Sequence, residues 1–194
     1  MTGLLKLLHY RYVKFGAANS QDLARKWLLS KVNDLRVNRA ALLRTPGLKT
    51  TTIIGKMYFY YYNPKTKETL PFYDRFPLVM PIELYSDGSW LGLNLHYISP
   101  ELRLSLLDKL SEYKTNTKYD ATTKLRLSYQ LLQGAKRFRL AKPCLKRYLP
   151  GHVQSKFLEI PADEWDIACV LPSEFFMKTS KQQVWTDSKV KSQW

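Results

Sequence analysis

Residues 78–97 predict a β-hairpin, and this prediction limits the possible folds more than any other segment does. Apolar residues alternate on both sides of Asp87-Gly88, a pair favoured in two-residue hairpin turns because both central positions need positive φ. With this turn, one face of the hairpin is wholly apolar and the other is mixed, so a slip of one residue would mix the two faces. The pairs expected on the apolar face are Leu84–Leu91, Ile82–Leu93, Met80–Leu95 and Leu78–Tyr97.

The segment before the hairpin predicts a further strand and a crowded aromatic region. Residues 53–62 are rich in β-branched and aromatic side chains, and residues 63–66 have a turn sequence. Residues 58–62 are all aromatic, and they cannot all face one core. We therefore expect two or three of them to form an exposed aromatic surface or to be covered by helices.

A long amphipathic helix is predicted near the N-terminus. Ser20 is suited to cap it, and Pro46-Gly47 ends it just after Arg44. Its apolar stripe, at helical spacing, consists of Leu23, Trp27, Leu28, Val32 and Leu35. The other elements expected from local patterns are one helix starting at residue 99 and a second running from residue 120 or 122 to 134, with short strands over 157–160 and 167–171.

Together these elements predict an α+β fold: a small antiparallel β-sheet or SH3-like barrel with flanking helices. With 194 residues, of which 45% are hydrophobic, the chain can bury one core. We expect a basic N-terminal helical segment over residues 1–50 and a polar C-terminal tail, able to form a short helix, over 173–194. A single α+β core domain is expected over residues 51–172, including a basic helical segment over 111–158.

The net charge of +15 is segregated along the chain. Residues 1–50 hold ten Lys or Arg and two acids, and residues 111–158 hold eleven and two. Residues 51–110 are balanced, and residues 159–194 carry a small negative charge. Segregated basic charge is typical of a surface that meets phosphates or an acidic partner.

The densest basic run lies between residues 136 and 147. Phe138 within it and Tyr148 after it can stack on bases or anchor the run to the core. Three interpretations stay open for the basic segments: solvated helix faces, docking on an acidic protein, or nucleic-acid binding, of which we favour the last. The candidate nucleic-acid-binding residues are Lys136, Arg137, Arg139, Lys142, Lys146 and Arg147, with Arg25, Lys26, Arg36 and Arg39 as a second contact.

The β-region offers a weaker case for an enzyme. Its carboxylates could bind a divalent metal as in some nucleases, although a turn position explains Asp87 without any chemistry. His96 is expected to be packed or hydrogen-bonded and not a catalytic base. We therefore predict no catalytic residue, no metal site, no cofactor and no small-molecule substrate. The carboxylates considered for the metal are Asp74, Glu83 and Asp87.

The sequence also indicates where the protein is made. No stretch approaches the ~20 apolar residues of a transmembrane helix, and residues 1–9 lack a signal-peptide cleavage site. Cys144 and Cys169 are expected to be buried free thiols. We therefore expect a protein that is cytosolic at synthesis and has no membrane partner.

Several strings of residues resemble one family of tailed-phage proteins. They are residues 60–78, 87–97, 142–148, 157–160 and 164–166, and the resemblance extends over about residues 54–185. The family is that of the DNA end protectors of T-even-like phages, virion proteins thought to sit on packaged DNA ends and shield them from host exonuclease. Pro150-Gly151 departs from the family pattern, in which a helix would continue.

This resemblance implies a non-enzymatic, DNA-associated virion protein that binds the phosphate backbone or the ends of packaged DNA. It also implies a location in the virion, after synthesis in the host cytoplasm, and contact with other phage structural proteins. One alternative is a structural neck or baseplate component that docks on acidic protein surfaces. The third is a metal-dependent nuclease.

Overall fold

A computed structural model of the protein describes residues 17–32, 38–111, 130, 133 and 139–192. Three predicted contact residues (Arg36, Lys136 and Arg137) lie outside this part of the chain, as does nearly all of the helix predicted over 122–134. The helices are α1 (Ala17–Val32), α2 (Arg39–Arg44), α3 (Pro100–Ser111), α4 (Trp165–Val170) and α5 (Lys181–Ser192). The strands are β1 (Met57–Phe59), β2 (Tyr73–Asp74), β3 (Leu78–Leu84), β4 (Trp90–Asn94), β5 (Leu145–Tyr148), β6 (Leu158–Ile160) and β7 (Phe176–Met177).

Five of these strands form an antiparallel sheet in the order β5-β4-β3-β1-β6. Strands β2 and β7 pair in a second, smaller sheet. The larger sheet is open, because β5 and β6 are its two edges. The α+β prediction is confirmed, and of the two arrangements expected, the structure has the small antiparallel sheet and not a closed barrel.

The hairpin of β3 and β4 forms where the sequence predicts it, but with a different turn. The backbone N–H of Tyr85 donates to the oxygen of Ser89 at 2.8 Å, which leaves a loop of three residues between them. Gly88 at the third loop position has a φ of +76°, as such loops require. The predicted two-residue turn at Asp87-Gly88 is therefore wrong.

A β-bulge at Ile82 changes the register again. Its neighbours Pro81 and Glu83 lie opposite Gly92 and Leu91. Pro81 has no N–H to donate to a neighbouring strand, and proline within a sheet is typical of bulges and edges. From the start of β3 to the bulge, each residue lies opposite a β4 residue two positions away from the predicted partner. Because side chains alternate between the two faces of a strand, a shift of two residues leaves each side chain on its predicted face. A Cβ at Gly92 would overlap a side chain of β3. Strands β3 and β4 can therefore come this close only because residue 92 is glycine.

The face of the hairpin that is predicted to be apolar packs into the main core. Met80, Ile82 and Leu93 are fully buried there. Leu84, near the turn, is an exception with 52% of its surface exposed. Leu95–Tyr97 form a short 3-10 helix instead of continuing β4, so the predicted pairs of Leu95 and Tyr97 with β3 do not form.

The opposite face of the sheet carries a second, aromatic core. Its members are Tyr58, Tyr60, Tyr62, Val79, Trp90, Tyr148 and Phe157. Phe59 and Tyr61 alternate with these tyrosines in sequence and pack on the main core instead. The aromatic residues at 58–62 are thus divided between two cores, and the exposed aromatic surface considered for them is not found.

Several local predictions are corrected by the structure. Ser20 lies inside α1 and does not cap it, and the single helix expected as far as Arg44 is two helices, α1 and α2. The segment expected to be a strand over 167–171 belongs mostly to helix α4. Residues 145–148 form strand β5 within the segment 111–158 that we expected to be helical. The strand over 157–160 and the helix starting after residue 99 are confirmed as β6 and α3.

Buried polar contacts hold α3 and α5 to the short 3-10 helix that follows β4. Arg103 of α3 has no exposed surface, and its guanidinium donates to the backbone oxygens of three residues at 2.8–3.0 Å. The same group pairs with Glu174 at 2.6 Å. Trp185 of α5 donates its indole N–H to the backbone oxygen of His96 at 2.9 Å. The C-terminal helix is therefore fixed beside the 3-10 helix that follows β4.

Cys144 and Cys169 are buried and free, as predicted. Burial raises the pKa of each thiol to about 12, so both stay protonated at neutral pH. None of the helices in the described ranges combines the length and the apolar character that crossing a bilayer requires.

Candidate nucleic-acid interface

Four residues of the predicted basic run are described, and they lie at the β5 edge of the sheet. Arg139 and Lys142 are exposed on a 3-10 helix, Arg139–Cys144. Lys146 and Arg147 follow on β5, which pairs with β4. Tyr148 is buried in the aromatic core, so it anchors this run to the fold; Phe138 lies outside the described residues.

Arg147 is already engaged with the hairpin turn. Its guanidinium pairs with Asp87 at 2.7 Å and donates to the hydroxyl of Ser89 at 3.0 Å, and it stacks over the ring of Tyr85 at 4.8 Å. Hydrogen bonds from Ser89, assisted by the charge of Arg147, lower the pKa of Asp87. Arg147 still has about half of its side chain exposed (54%), so a phosphate can approach it.

Lys146 lies in a different environment. Its Nζ sits 4.0 Å from the centre of the Tyr97 ring, and no ion pair to it occurs among the described residues. Burial, reinforced by the positive charge of Lys191, lowers the pKa of Lys146 to about 8. At neutral pH the group is mostly charged, and within the described ranges the face of the Tyr97 ring is the contact that compensates its charge.

Lys146 lines a cleft that we call the aromatic cleft. Its walls are the loop 64–73, the end of β4 with Tyr97, and β5; it has a volume of about 380 Å³ and adjoins a recess of about 220 Å³ at α5. Phe72, Tyr97 and Lys146 line both cavities. The cations that line one or both are Lys65, Lys142, Lys146, Arg147 and Lys191.

Lys178 fixes the outer wall of the aromatic cleft. Its ammonium donates to the backbone oxygens of Lys67, Glu68 and Leu70 at 2.7–2.9 Å. Lys178 itself has a φ of +71°, an uncommon backbone conformation for a residue with a long side chain. The loop is thereby tied to the segment that leads into α5.

A buried polar network lies below the cleft. Asp74, which lines the cleft, accepts from Asn94 at 3.2 Å and forms a 2.7 Å pair with Nδ1 of His96. Nε2 of His96 lies 3.1 Å from the hydroxyl of Ser173. His96 has no exposed surface, so the network joins β2, β4 and the segment before β7. His96 is hydrogen-bonded, as predicted.

The second predicted contact lies elsewhere in the fold. Arg25 and Lys26 are exposed on α1, which packs against α4, and Lys26 pairs with Asp22 at 3.0 Å. Arg39 of α2 donates to the backbone oxygen of Gln154 at 2.9 Å. The described residues of this group therefore do not line the aromatic cleft.

Sequence reasoning missed several residues of the cleft. Lys191 belongs to a segment with net negative charge, and Lys65 belongs to a segment whose charges balance, so a count of charge along the chain draws attention to neither. Phe72 and Tyr97 belong to no sequence pattern that indicates a binding site. The two lysines are brought to Lys146 only by the docking of α5 and by the loop that Lys178 holds.

The carboxylates considered for a metal are separated in the structure. Asp74 is on β2 and is bonded to His96, Glu83 is near the end of β3, and Asp87 is in the hairpin turn and paired with Arg147. Within the described ranges, no group of three or more His, Cys, Asp or Glu side chains could hold a metal ion.

The fold and the cleft define a small α+β protein whose site combines convergent cations with aromatic walls, a combination suited to a phosphate-bearing, base-bearing ligand. The chain matches the family model described as Phage T4 terminal DNA protecting protein over residues 6–194. It belongs to this family, and the match includes α1, which lies outside the strings that carry the resemblance. No curated protein and no solved structure matches the chain.

Proposed function

We propose that this protein is a non-enzymatic DNA end protector that acts in the phage virion. The observation that carries the proposal is the family match over residues 6–194. The convergence of five cations on the aromatic cleft and its adjoining recess supports it, because Lys and Arg bind the phosphate backbone and release its counterions. An end that is covered in this way is not accessible to an exonuclease.

The contact surface that we propose has two parts. The main part is the aromatic cleft with the exposed residues beside it, Arg139 and Lys142, together with Lys136 and Arg137 of the same run. The second part is the basic group of α1 and α2, with Arg36. Both act by neutralising phosphates, and no bond of the DNA is made or broken.

Binding to a linear DNA duplex at several salt concentrations tests the proposal. If the five cations of the cleft and its recess each neutralise one phosphate, a plot of log K against log salt has a slope of about −4.5. Affinity then falls about 500-fold between roughly 50 and 200 mM salt. No binding at about 50 mM salt would overturn the proposal and favour a neck or baseplate component that docks on acidic protein surfaces.

A further inference from the structure

We propose that the aromatic cleft binds the terminal, unpaired nucleotide of a DNA end. The base lies against the apolar wall around Phe72, and its phosphate lies between Lys142, Lys146 and Lys191. This inference rests on the proposed function, and it adds to that function a specific site and a preference among DNA structures.

The size of the cleft is the first argument for an unpaired nucleotide. A volume of about 380 Å³ falls within the usual range for small-molecule sites, ~300–1,000 Å³, whereas a duplex cannot enter a cavity of this size. A single nucleotide that has left the stack can enter it, since enzymes that act on bases hold such nucleotides in pockets. The cleft therefore selects an unpaired nucleotide.

The apolar and aromatic walls of the cleft are the second argument, because they can bind a base. Leu70, Pro71 and Phe72 form one wall, and Phe72 lies 5.9 Å from the ring of Tyr97. An aromatic wall binds any base, because every base has a π-face. The site is thus expected to accept all four terminal bases, as a protector of ends of any sequence requires.

The third argument is the charge of Lys146, for which the described residues provide no carboxylate partner. A half-buried ammonium group without a carboxylate partner is costly, and an anion that enters the cleft removes this cost. Lys142 and Lys191 line the adjoining recess with Lys146, and Nζ of Lys191 is 6.0 Å from the Phe72 ring. Three ammonium groups next to one aromatic wall match the phosphate and the base of a nucleotide.

The test compares three forms of one hairpin DNA with the protein unchanged. The first ends in one unpaired nucleotide, the second carries an abasic sugar-phosphate at that position, and the third is a covalently closed dumbbell without ends. We expect the first to bind about tenfold or more tighter than the second, because base stacking on an aromatic side chain has roughly this effect. The dumbbell is expected to bind more weakly still.

Variants then locate the site. Phe72→Leu should remove most of the difference between the first two DNA forms, while Phe175→Leu, at an exposed phenylalanine outside the cleft, should keep it. Lys191→Gln should weaken binding of the end about tenfold, and Lys189→Gln on another face of the same helix should not. Lys189 lines a different cavity, and both lysines are exposed, so these two variants should fold alike.

The outcomes separate this inference from the proposed function. Equal affinity for all three DNA forms would overturn the terminal-nucleotide site and leave DNA binding intact. Loss of the base-dependent difference in Phe175→Leu but not in Phe72→Leu would overturn it as well. Absence of binding to every form at low salt would instead overturn the proposed function.

Discussion

Arg103→Ala is expected to reduce the free energy of unfolding by about 3–5 kcal/mol, which is a large part of the stability of a domain of this size. The guanidinium is fully buried, donates to three backbone oxygens and pairs with Glu174. Alanine would leave these oxygens without donors and the carboxylate without its partner. Chemical denaturation followed by tryptophan fluorescence measures the loss.

A matched arginine provides the control. Arg75 stacks over the ring of Phe175 at 5.6 Å and is only half-buried, so Arg75→Ala should cost less than about 1 kcal/mol. Glu174→Gln keeps an oxygen that can accept from Arg103 and should cost less than Arg103→Ala. Equal stability of Arg103→Ala and Arg75→Ala would contradict the buried network described for α3.

The Arg103–Glu174 ion pair predicts how the stability of the protein changes at low pH. Burial alone would raise the pKa of Glu174, but the charge of Arg103, with Lys181 nearby, outweighs burial and holds the pKa at about 2, below its usual 4.5. A carboxyl group whose pKa is lowered by folding stabilises the protein above the unfolded value. This contribution is lost as pH falls from about 4.5 to about 2, and Glu174→Gln should not show that part of the loss.

Removing three cations from the aromatic cleft and its recess has the second large expected effect. The triple variant Lys65→Gln, Lys142→Gln, Lys191→Gln should bind linear DNA about 10²–10³-fold more weakly near 0.1 M salt, because each lost phosphate contact costs roughly tenfold there. The slope of log K against log salt should become less steep by about 3. Fluorescence anisotropy of a labelled duplex measures both quantities.

A variant with the same change in net charge separates the site from general electrostatic attraction. Lys49→Gln, Lys156→Gln and Lys189→Gln remove three charges from residues that do not line the aromatic cleft or its recess. This variant should lose much less affinity than the cleft variant. If the two variants lost equal affinity, binding would depend on net charge alone and the cleft would have no special role.

The hairpin shows which features of this fold can be predicted from the sequence and which cannot. Alternation of apolar residues identifies the buried face of β3 and β4, because each strand residue points to the side opposite its neighbours. It does not identify the bulge at Ile82 or the three-residue loop. The bulge lies where Pro81 of β3 faces Gly92, whose lack of a side chain admits a close contact with β3. The loop is not identified because a glycine with positive φ is compatible with both the two-residue and the three-residue hairpin turn.

Short segments show a second limit. Residues 165–170 contain apolar and β-branched side chains typical of a strand, yet they form α4, which packs against α1 and α3. Residues 145–148 form a strand inside a basic segment that resembles a helix, because β4 offers them an unpaired edge. In segments this short, tertiary contacts outweigh local preference.

The candidate site was predictable only where its residues are neighbours in sequence. Lys142, Lys146 and Arg147 stand in one basic run and line the aromatic cleft or its adjoining recess. The sequence does not show that Arg147 is paired with Asp87, or that Lys146 lies on an aromatic ring. Lys191 joins them through the docking of α5 and Phe72 through the loop that Lys178 holds, and no local pattern predicts either arrangement.

Protection of linear duplex DNA from a processive exonuclease tests the central claim most directly. With saturating protein at low salt, we expect the rate of digestion to fall at least tenfold, and the cleft variant at the same concentration to give little protection. A circular duplex with a single nick, digested by an endonuclease, controls for general coating of the DNA. Digestion of the linear duplex at the full rate, under conditions in which binding has been measured, would contradict the account.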